Sequence, residues 1–401
     1  MFVCVGTGLV SGMPLYLLLQ LVPAWLRLEG VSLTAIGFFT LVTYPYTLKF
    51  LWSPILERYS LPFLGRRRGW MLAMQICLVA SIAALGLSSP GESLLELTII
   101  ALGVAIFSAT QDIVLDAYRR EILETDAELA LGNTVHVQAY RVSGLIPGSL
   151  GLILVDLVTW QENFFIMAGF MAGAILLTLL IREAPKPSAV PTSIAEAIVT
   201  PFKEFFSRRT VGGALAVLAF ILLYKLGDNM ATALSTAFYI DLGFEPADIG
   251  LIAKNAALWP SIIGGILGAL IILKIGINKA LWAFGVVQVL TILGFVWLSE
   301  SGTDRVVLAI VIGAEYLGVG LGTAASVAFI ARETSRLAVA TQFALFTALA
   351  SLPRVLASST SGWIVDSIGW TEFFYFSAIL ALPGMALLYW VAPWNADFDR
   401  G

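Results

Sequence analysis

LTIIALGVAIFSATQDIVLDAYRRE, residues 97–121, is the stretch on which the reading of the whole chain turns. Residues 97–107 are almost wholly apolar, and two carboxylates, Asp112 and Asp116, follow before the paired Arg119 and Arg120. Residues four apart on a helix share a face, so both acids line one side, with Ser108 above them. The pattern predicts a lipid-embedded helix that carries acids well inside the hydrocarbon. An unpaired charge there costs roughly 2.5 to 3.5 kcal/mol, so each acid is expected to be paired, protonated or facing water. A structural ion pair is the plain alternative to a transport role, above all for Asp116, which lies close to the arginines.

The composition agrees. Of 401 residues, 59% are hydrophobic and only 12% charged, where a soluble domain carries about 25%. An all-α integral membrane protein embedded in a lipid bilayer follows. The formal net charge of −4 says little about partners, because charge here is sorted by membrane side. No basic patch is interleaved with aromatics, so no nucleic acid partner is expected. Cys4 and Cys77 sit in apolar runs and His136 is the one histidine, which predicts no disulfide framework, no metal and no cofactor. No nucleophile and base stand together near a membrane face, so an enzyme is not expected. The N-terminus reads as a membrane helix and not a signal peptide. It lacks a basic leader, as expected of a sequence that begins late.

Apolar stretches separated by polar or Gly/Pro breaks predict twelve spans, near 2–26, 33–56, 70–89, 94–119, 131–155, 163–181, 210–239, 247–273, 279–299, 306–330, 339–365 and 370–392. With both termini cytoplasmic, sixteen of the 23 basic residues fall inside, while Arg27 and Arg305 alone fall outside. That bias sets the orientation. The long connection 182–209 contains Pro185, Pro187, Pro191 and Pro201. Ser193 and Glu196 have capping-box spacing there, and Ile194, Ile198, Phe202 and Phe205 lie near one face. These predict an amphipathic linker helix on the membrane surface. GVSLTAIG (30–37) matches GFEPADIG (243–250), and Asp156, Trp160, Glu162 and Phe164 match Asp366, Trp370, Glu372 and Phe374. The offsets, 213 and 210, predict a six-plus-six duplication in parallel orientation. The expected domains are therefore a six-helix bundle over 1–181, a linker over 182–209 and a second bundle over 210–401. That is the major facilitator fold of 12 transmembrane helices, with a central cavity.

In such a fold the first, fourth, seventh and tenth spans line the cavity, and their polar residues are the default candidates. The fourth carries Gln111, Asp112 and Asp116; the seventh carries Lys225 and Asp228; the tenth carries Glu315. Lys49 lies at nearly the depth of Asp112, which predicts a Lys49 pair with Asp112 or Asp116 that loads and releases a proton or substrate. A plain structural bridge is the alternative. Arg141 and Arg354, in corresponding spans, would hold an anionic group of the substrate or pair with acids of neighbouring helices. Lys254 is read either as a substrate ligand or as a snorkelling lysine, and Tyr44 and Tyr224 as rings for sugar stacking. His136 is read as an interfacial residue rather than a proton relay.

The loop after the second span, Glu57, Arg58 and then GRRRG over 65–69, resembles the signature loop of the major facilitator family. There an acid and the basics after it brace the cytoplasmic side. Glu57, Arg58, Arg66, Arg67, Arg68 and Arg119 are the gate residues this implies, although Glu57 stands in for the usual aspartate and SLPFL (60–64) lengthens the loop. The whole resembles the AmpG-type muropeptide permeases, on SGMPL (11–15), YPYTLKFLWSP (44–54), PFLGRRRGW (62–70) and SATQDIVLDAYRREIL (108–123). YKLGD (224–228), LGTAA (321–325), ATQFAL (340–345) and PGMALL (383–388) extend it through the second half. The resemblance implies a proton-driven importer of N-acetylglucosamine linked to 1,6-anhydro-N-acetylmuramic acid, with or without peptide, in a bacterial inner membrane, and a monomer is expected. The fragments feed wall recycling and, in some bacteria, the signal that induces beta-lactamase. Acetyl-CoA transporters share a related QD element, so another small anionic metabolite such as acetyl-CoA is the rival cargo.

Overall fold

The computed structural model describes residues 2–91, 93–123, 126–184, 206–207, 210–333 and 339–395. Helix meets each of the twelve expected spans. Seven are long unbroken runs or nearly so: Phe2–Leu28, Arg66–Leu87, Leu94–Ile122, Trp160–Leu180, Ile277–Glu300, Arg305–Glu333 and Trp370–Val391. The eleventh is Val339–Ile368. The amphipathic helix expected in the linker lies outside the described residues.

The remaining four are interrupted, each for a local reason. The second span is made of Leu33–Phe39, Tyr44–Leu48 and Ser53–Arg58, joined by 3-10 turns, and both later pieces carry a proline in their first turn. Proline has no N–H to give and is tolerated in a first helical turn, so each one restarts the helix. The fifth span, Asp126–Ser143, continues through a π turn over Ile146–Leu150 that contains Pro147. A π turn also opens the eighth span, Pro246–Ile275, at Ile249–Ala253, and another interrupts the first span at Leu17–Leu21. The seventh span is in three pieces, Val211–Leu223, Leu226–Thr232 and Ser235–Asp241.

The chain forms two compact units, one of Met1–Val190 with Tyr239–Asn255, the other of Pro191–Phe238 with Ala256–Gly401. Both use the same pairings. In the first unit the third span packs on the fourth and sixth, and the first on the fifth; in the second the ninth packs on the tenth and twelfth, and the seventh on the eleventh. That correspondence is what a duplicated six-helix repeat produces. Within the first unit the π turns of the first, fifth and eighth spans meet through small residues. Gly250 lies where a Cβ would come 2.7 Å from the Ser149 carbonyl. Nearby, Arg27 at the end of the first span grips Asp241 with two hydrogen bonds of 2.5 and 2.8 Å.

The third span begins at Arg66 rather than near residue 70, which places the three arginines in its first turn instead of a loop. Gly65 makes this possible, since it turns with φ +92°, a region that favours glycine. The exposed N–H groups of that turn then find a cap from elsewhere: the Glu183 carboxylate accepts from the backbone of Arg67 at 2.8 Å and of Arg68 at 3.1 Å. A carboxylate at a helix N-terminus is also favoured by the helix dipole.

Candidate functional site

Four spans of the first unit bring their polar residues to one place. Lys49 stands where the helical piece Tyr44–Leu48 gives way to a 3-10 turn, and its ammonium reaches the fourth span. There it bonds Asp112 Oδ2 and lies 3.8 Å from Asp116 Oδ2. The Ser11 hydroxyl of the first span donates to the other Asp112 oxygen. One turn on, Arg119 donates to Asp116 Oδ1 at 2.9 Å. Trp52 donates to the Thr110 hydroxyl at 3.1 Å and Gln111 to the Val10 carbonyl at 3.2 Å, which fix the second and first spans against the fourth. Buried His136 of the fifth span meets the Thr7 hydroxyl through Nδ1 at 3.2 Å, a more enclosed position than the expected interfacial one.

The first span can come this close because Gly12 faces the fifth, where a Cβ would lie 2.5 Å from the Tyr140 carbonyl. Two cations and two carboxylates balance in this centre. Its groups are unequally sheltered, with the Asp112 side chain 15% exposed and that of Asp116 45%. Buried ion pairs hold only where geometry and further hydrogen bonds offset the lost hydration, and Asp112 has both.

A second centre sits in the other unit, at the break in the seventh span. Lys225 occupies the interruption, and its ammonium donates to Asp228 at 2.6 Å, to the Gln288 side chain at 3.0 Å and to the Val319 carbonyl at 3.3 Å. Three donors thus meet three acceptors, from the seventh, ninth and tenth spans. Asp228 lies in the first turn of Leu226–Thr232, where the helix dipole favours an acid. Gly227 and Gly384 let the twelfth span press against the break, with Cβ positions 2.9 Å from the Ser377 carbonyl and 2.7 Å from the Leu223 carbonyl. Glu315 is wholly buried and within electrostatic reach of Asp228 and Lys225. Beside it the Thr291 hydroxyl donates to the Gln288 carbonyl at 3.1 Å. This centre holds one cation against two carboxyl groups.

The other expected site residues are scattered. Tyr224 is buried in the core of the second unit, and its hydroxyl donates to the Leu281 carbonyl at 2.8 Å, so its ring packs between helices instead of facing a ligand. Arg141 is half-buried in the last turn of Asp126–Ser143, Tyr44 is half-buried, Lys254 opens the regular part of the eighth span beside Gly148, and Arg354 is exposed on the eleventh. The side chains of Glu57 and Arg58 lie outside the described residues.

The arginines of the signature loop are engaged inside their own unit. Arg66 and Arg67 both donate to Glu121 at 2.7 Å, and Arg68 donates to the carbonyls of Thr178 and Leu179, at the C-terminal end of the sixth span. Partial burial of Glu121 pushes its carboxyl up, but the hydrogen bonds and charges of Arg67 and Arg66 outweigh that and hold it below the usual carboxylate range. The set fastens the third, fourth and sixth spans together at one end of the bundle. Sequence reading missed Ser11, Glu121, Glu183 and Gln288. For Gln288 a signal exists, a lone amide inside the apolar run FGVVQVLTIL; the others adjoin residues already noted.

The arrangement offers charged groups within apolar spans, and among the described residues no nucleophile, base and oxyanion site are assembled around them. Among the described residues no group of three or more His, Cys, Asp or Glu could hold a metal ion. Comparison with known proteins fits that chemistry. Residues 4–322 match the family model described as Major Facilitator Superfamily. The chain is 48% identical over 409 residues to an uncharacterized protein of Haemophilus influenzae, covering 100% of this chain and 96% of that one. It is 38% identical over 383 residues to the anhydromuropeptide permease of Escherichia coli K12, covering 95% of this chain and 77% of that one. Among solved structures, the nucleoside transporter NupG aligns with a TM-score of 0.73 at 12% identity, over 96% of this chain and 99% of that one, which shows the shared fold. The protein is a multi-pass membrane transporter and not an enzyme. On its twelve spans, its paired units and these likenesses, the chain belongs to the major facilitator superfamily and, within it, to the AmpG-type permeases.

Proposed function

We propose that this protein imports anhydromuropeptides, N-acetylglucosamine linked to 1,6-anhydro-N-acetylmuramic acid with or without its peptide, across the bacterial inner membrane. Inward proton flow drives the cycle, and the two bundles give access to each side in turn. The observation that carries the reading is 38% identity, over 95% of the chain, to a permease named for that cargo. The Lys49, Asp112, Asp116 and Arg119 centre supports coupling, since ionisable groups inside a membrane are kept where ions or substrates must pass. Asp112, Asp116 and Lys49 form the first coupling centre, with Gln111, Tyr44, Arg141, Lys254 and Arg354 as the remaining candidates for substrate contact. Lys225, Asp228 and Glu315 form the second. Both termini are cytoplasmic by the distribution of basic residues. The cargo returns to wall synthesis, and in some bacteria it signals beta-lactamase induction.

Uptake of labelled anhydromuropeptide into right-side-out vesicles, with and without a proton uncoupler, tests this. Accumulation that the uncoupler abolishes, and that unlabelled anhydromuropeptide but not acetyl-CoA competes away, is the expected result. Competition by acetyl-CoA alone would transfer the reading to that class of anion.

A further inference from the structure

The two acids of the fourth span are built differently, and the difference divides their labour. Both Asp112 oxygens face donors, Lys49 on one and the Ser11 hydroxyl on the other. Asp116 has one hydrogen bond, from Arg119 at 2.9 Å, while Lys49 stands off at 3.8 Å. Its side chain is 45% exposed against 15% for Asp112. We infer that Asp116 is the carboxylate that takes up and gives back the transported proton, that Asp112 is a positioning residue holding Lys49, and that the proton admits an anionic group of the substrate to Lys49 and Arg119. This rests on the proton-coupled reading above and deepens it.

Charge balance supplies the coupling. The groups around Asp116 are Lys49 from the second span, Asp112 and Arg119 from its own helix, and His136 of the fifth span beyond Asp112. Among the described residues, two cations and two carboxylates cancel. A proton from water outside adds to one Asp116 oxygen, an O–H bond forms, and the centre gains one positive charge. The attraction across 3.8 Å to Lys49 disappears, while the neutral carboxyl still accepts from Arg119. A substrate carboxylate then restores balance by taking the place Asp116 had beside Lys49. On the cytoplasmic side the carboxylate leaves, the O–H bond breaks and the proton goes to water. Because linkage is reciprocal, the substrate anion raises proton affinity as much as the proton raises affinity for the anion. Asp112 takes no part in the exchange, since removing its charge would release Lys49 from the fourth span.

The test compares Asp116→Asn, Asp116→Glu and Asp112→Asn, each quantified in the membrane fraction, with labelled N-acetylglucosaminyl-1,6-anhydro-N-acetylmuramyl tripeptide as probe. Two readouts are needed, uncoupler-sensitive accumulation and counterflow, the exchange of labelled for unlabelled probe without a proton gradient. Asn resembles the protonated acid, so Asp116→Asn should lose accumulation by about tenfold or more while counterflow stays within about twofold of wild type. Its counterflow should also lose its pH dependence. Asp116→Glu should keep both activities, and Asp112→Asn should lose both. Accumulation by Asp116→Asn that an uncoupler still abolishes would overturn the assignment and leave the proton-coupled reading standing. Loss of its counterflow, with the protein present in the membrane, would overturn it too, because Asp116 would then serve carriage itself. Wild-type uptake indifferent to the uncoupler would instead remove the coupled reading, and this one with it.

Discussion

The two charged centres place the same residue types in different surroundings. In the first unit Lys49 and Arg119 face Asp112 and Asp116 in even number, and Asp116 is nearly half exposed. In the second, among the described residues, Lys225 faces both Asp228 and Glu315, which are 4% and 0% exposed. Burial without charge balance is expensive, and breaking a buried pair leaves an ion that water cannot reach. The open, balanced centre leaves Asp116 within reach of solvent, as the exchange proposed above requires. The closed one, whatever its part in coupling, also ties a helix broken at Lys225 to the ninth and tenth spans. Chemistry of the side chains is therefore a poor guide to their duty until exposure and partner count are known.

The sharpest way to break this comparison is to remove each lysine. Lys225→Ala strands Asp228 and frees two acceptors, and should cost roughly 3 to 5 kcal/mol. Melting of the detergent-solubilised protein should fall steeply. Lys49→Ala should cost less, about 1 to 3 kcal/mol, because Asp112 keeps Ser11. That variant should stay folded and inserted while accumulating no substrate. Equal loss of stability in the two variants would dissolve the distinction. A milder probe is Glu315→Gln, which removes one of two acids from the crowded centre at nearly constant volume. Melting should be unchanged or raised by up to about 1 kcal/mol, and a large loss would mean that Glu315 is held as an ion.

The smallest effect tests whether the comparison extends to the start of the third span, where a third set of charges gathers on Glu121. Glu121 is held below its usual range in the folded protein. A group so depressed stabilises the fold fully above its unfolded value, about 4.3, and that contribution fades as the pH drops through the lower folded value. Glu121→Gln should lower the melting temperature by about 2 to 4 °C at neutral pH. The difference from wild type should shrink in acid, and should leave counterflow unaltered.

Much of the fold was legible because bilayer thickness imposes a length that hydropathy counts. The Lys49 pair was legible as well, since two charges at equal depth in oil have few other partners. What escaped depends on contacts across the chain. Nothing in the order of residues tells that Glu183 caps the third span, or that Arg27 meets Asp241. The π turns at Leu17–Leu21 and Ile249–Ala253 contain no proline, and the prolines near them, Pro14, Pro23 and Pro246, fit a regular helix as well. Tyr224 was misread because an aromatic ring at mid-span fits a ligand face and a helix interface equally well, and only its bond to the Leu281 carbonyl separates them.

The cap from Glu183 also sets an order of events during synthesis. The first turn of the third span keeps bare N–H groups while three further spans are translated and inserted. Only when the ribosome has passed residue 183 can that edge be sealed, by an acid made more than a hundred residues after the amides it serves. A chain that ended at Ile181 would still tie Arg66 and Arg67 to Glu121, but the amides of Arg67 and Arg68 would lack their cap.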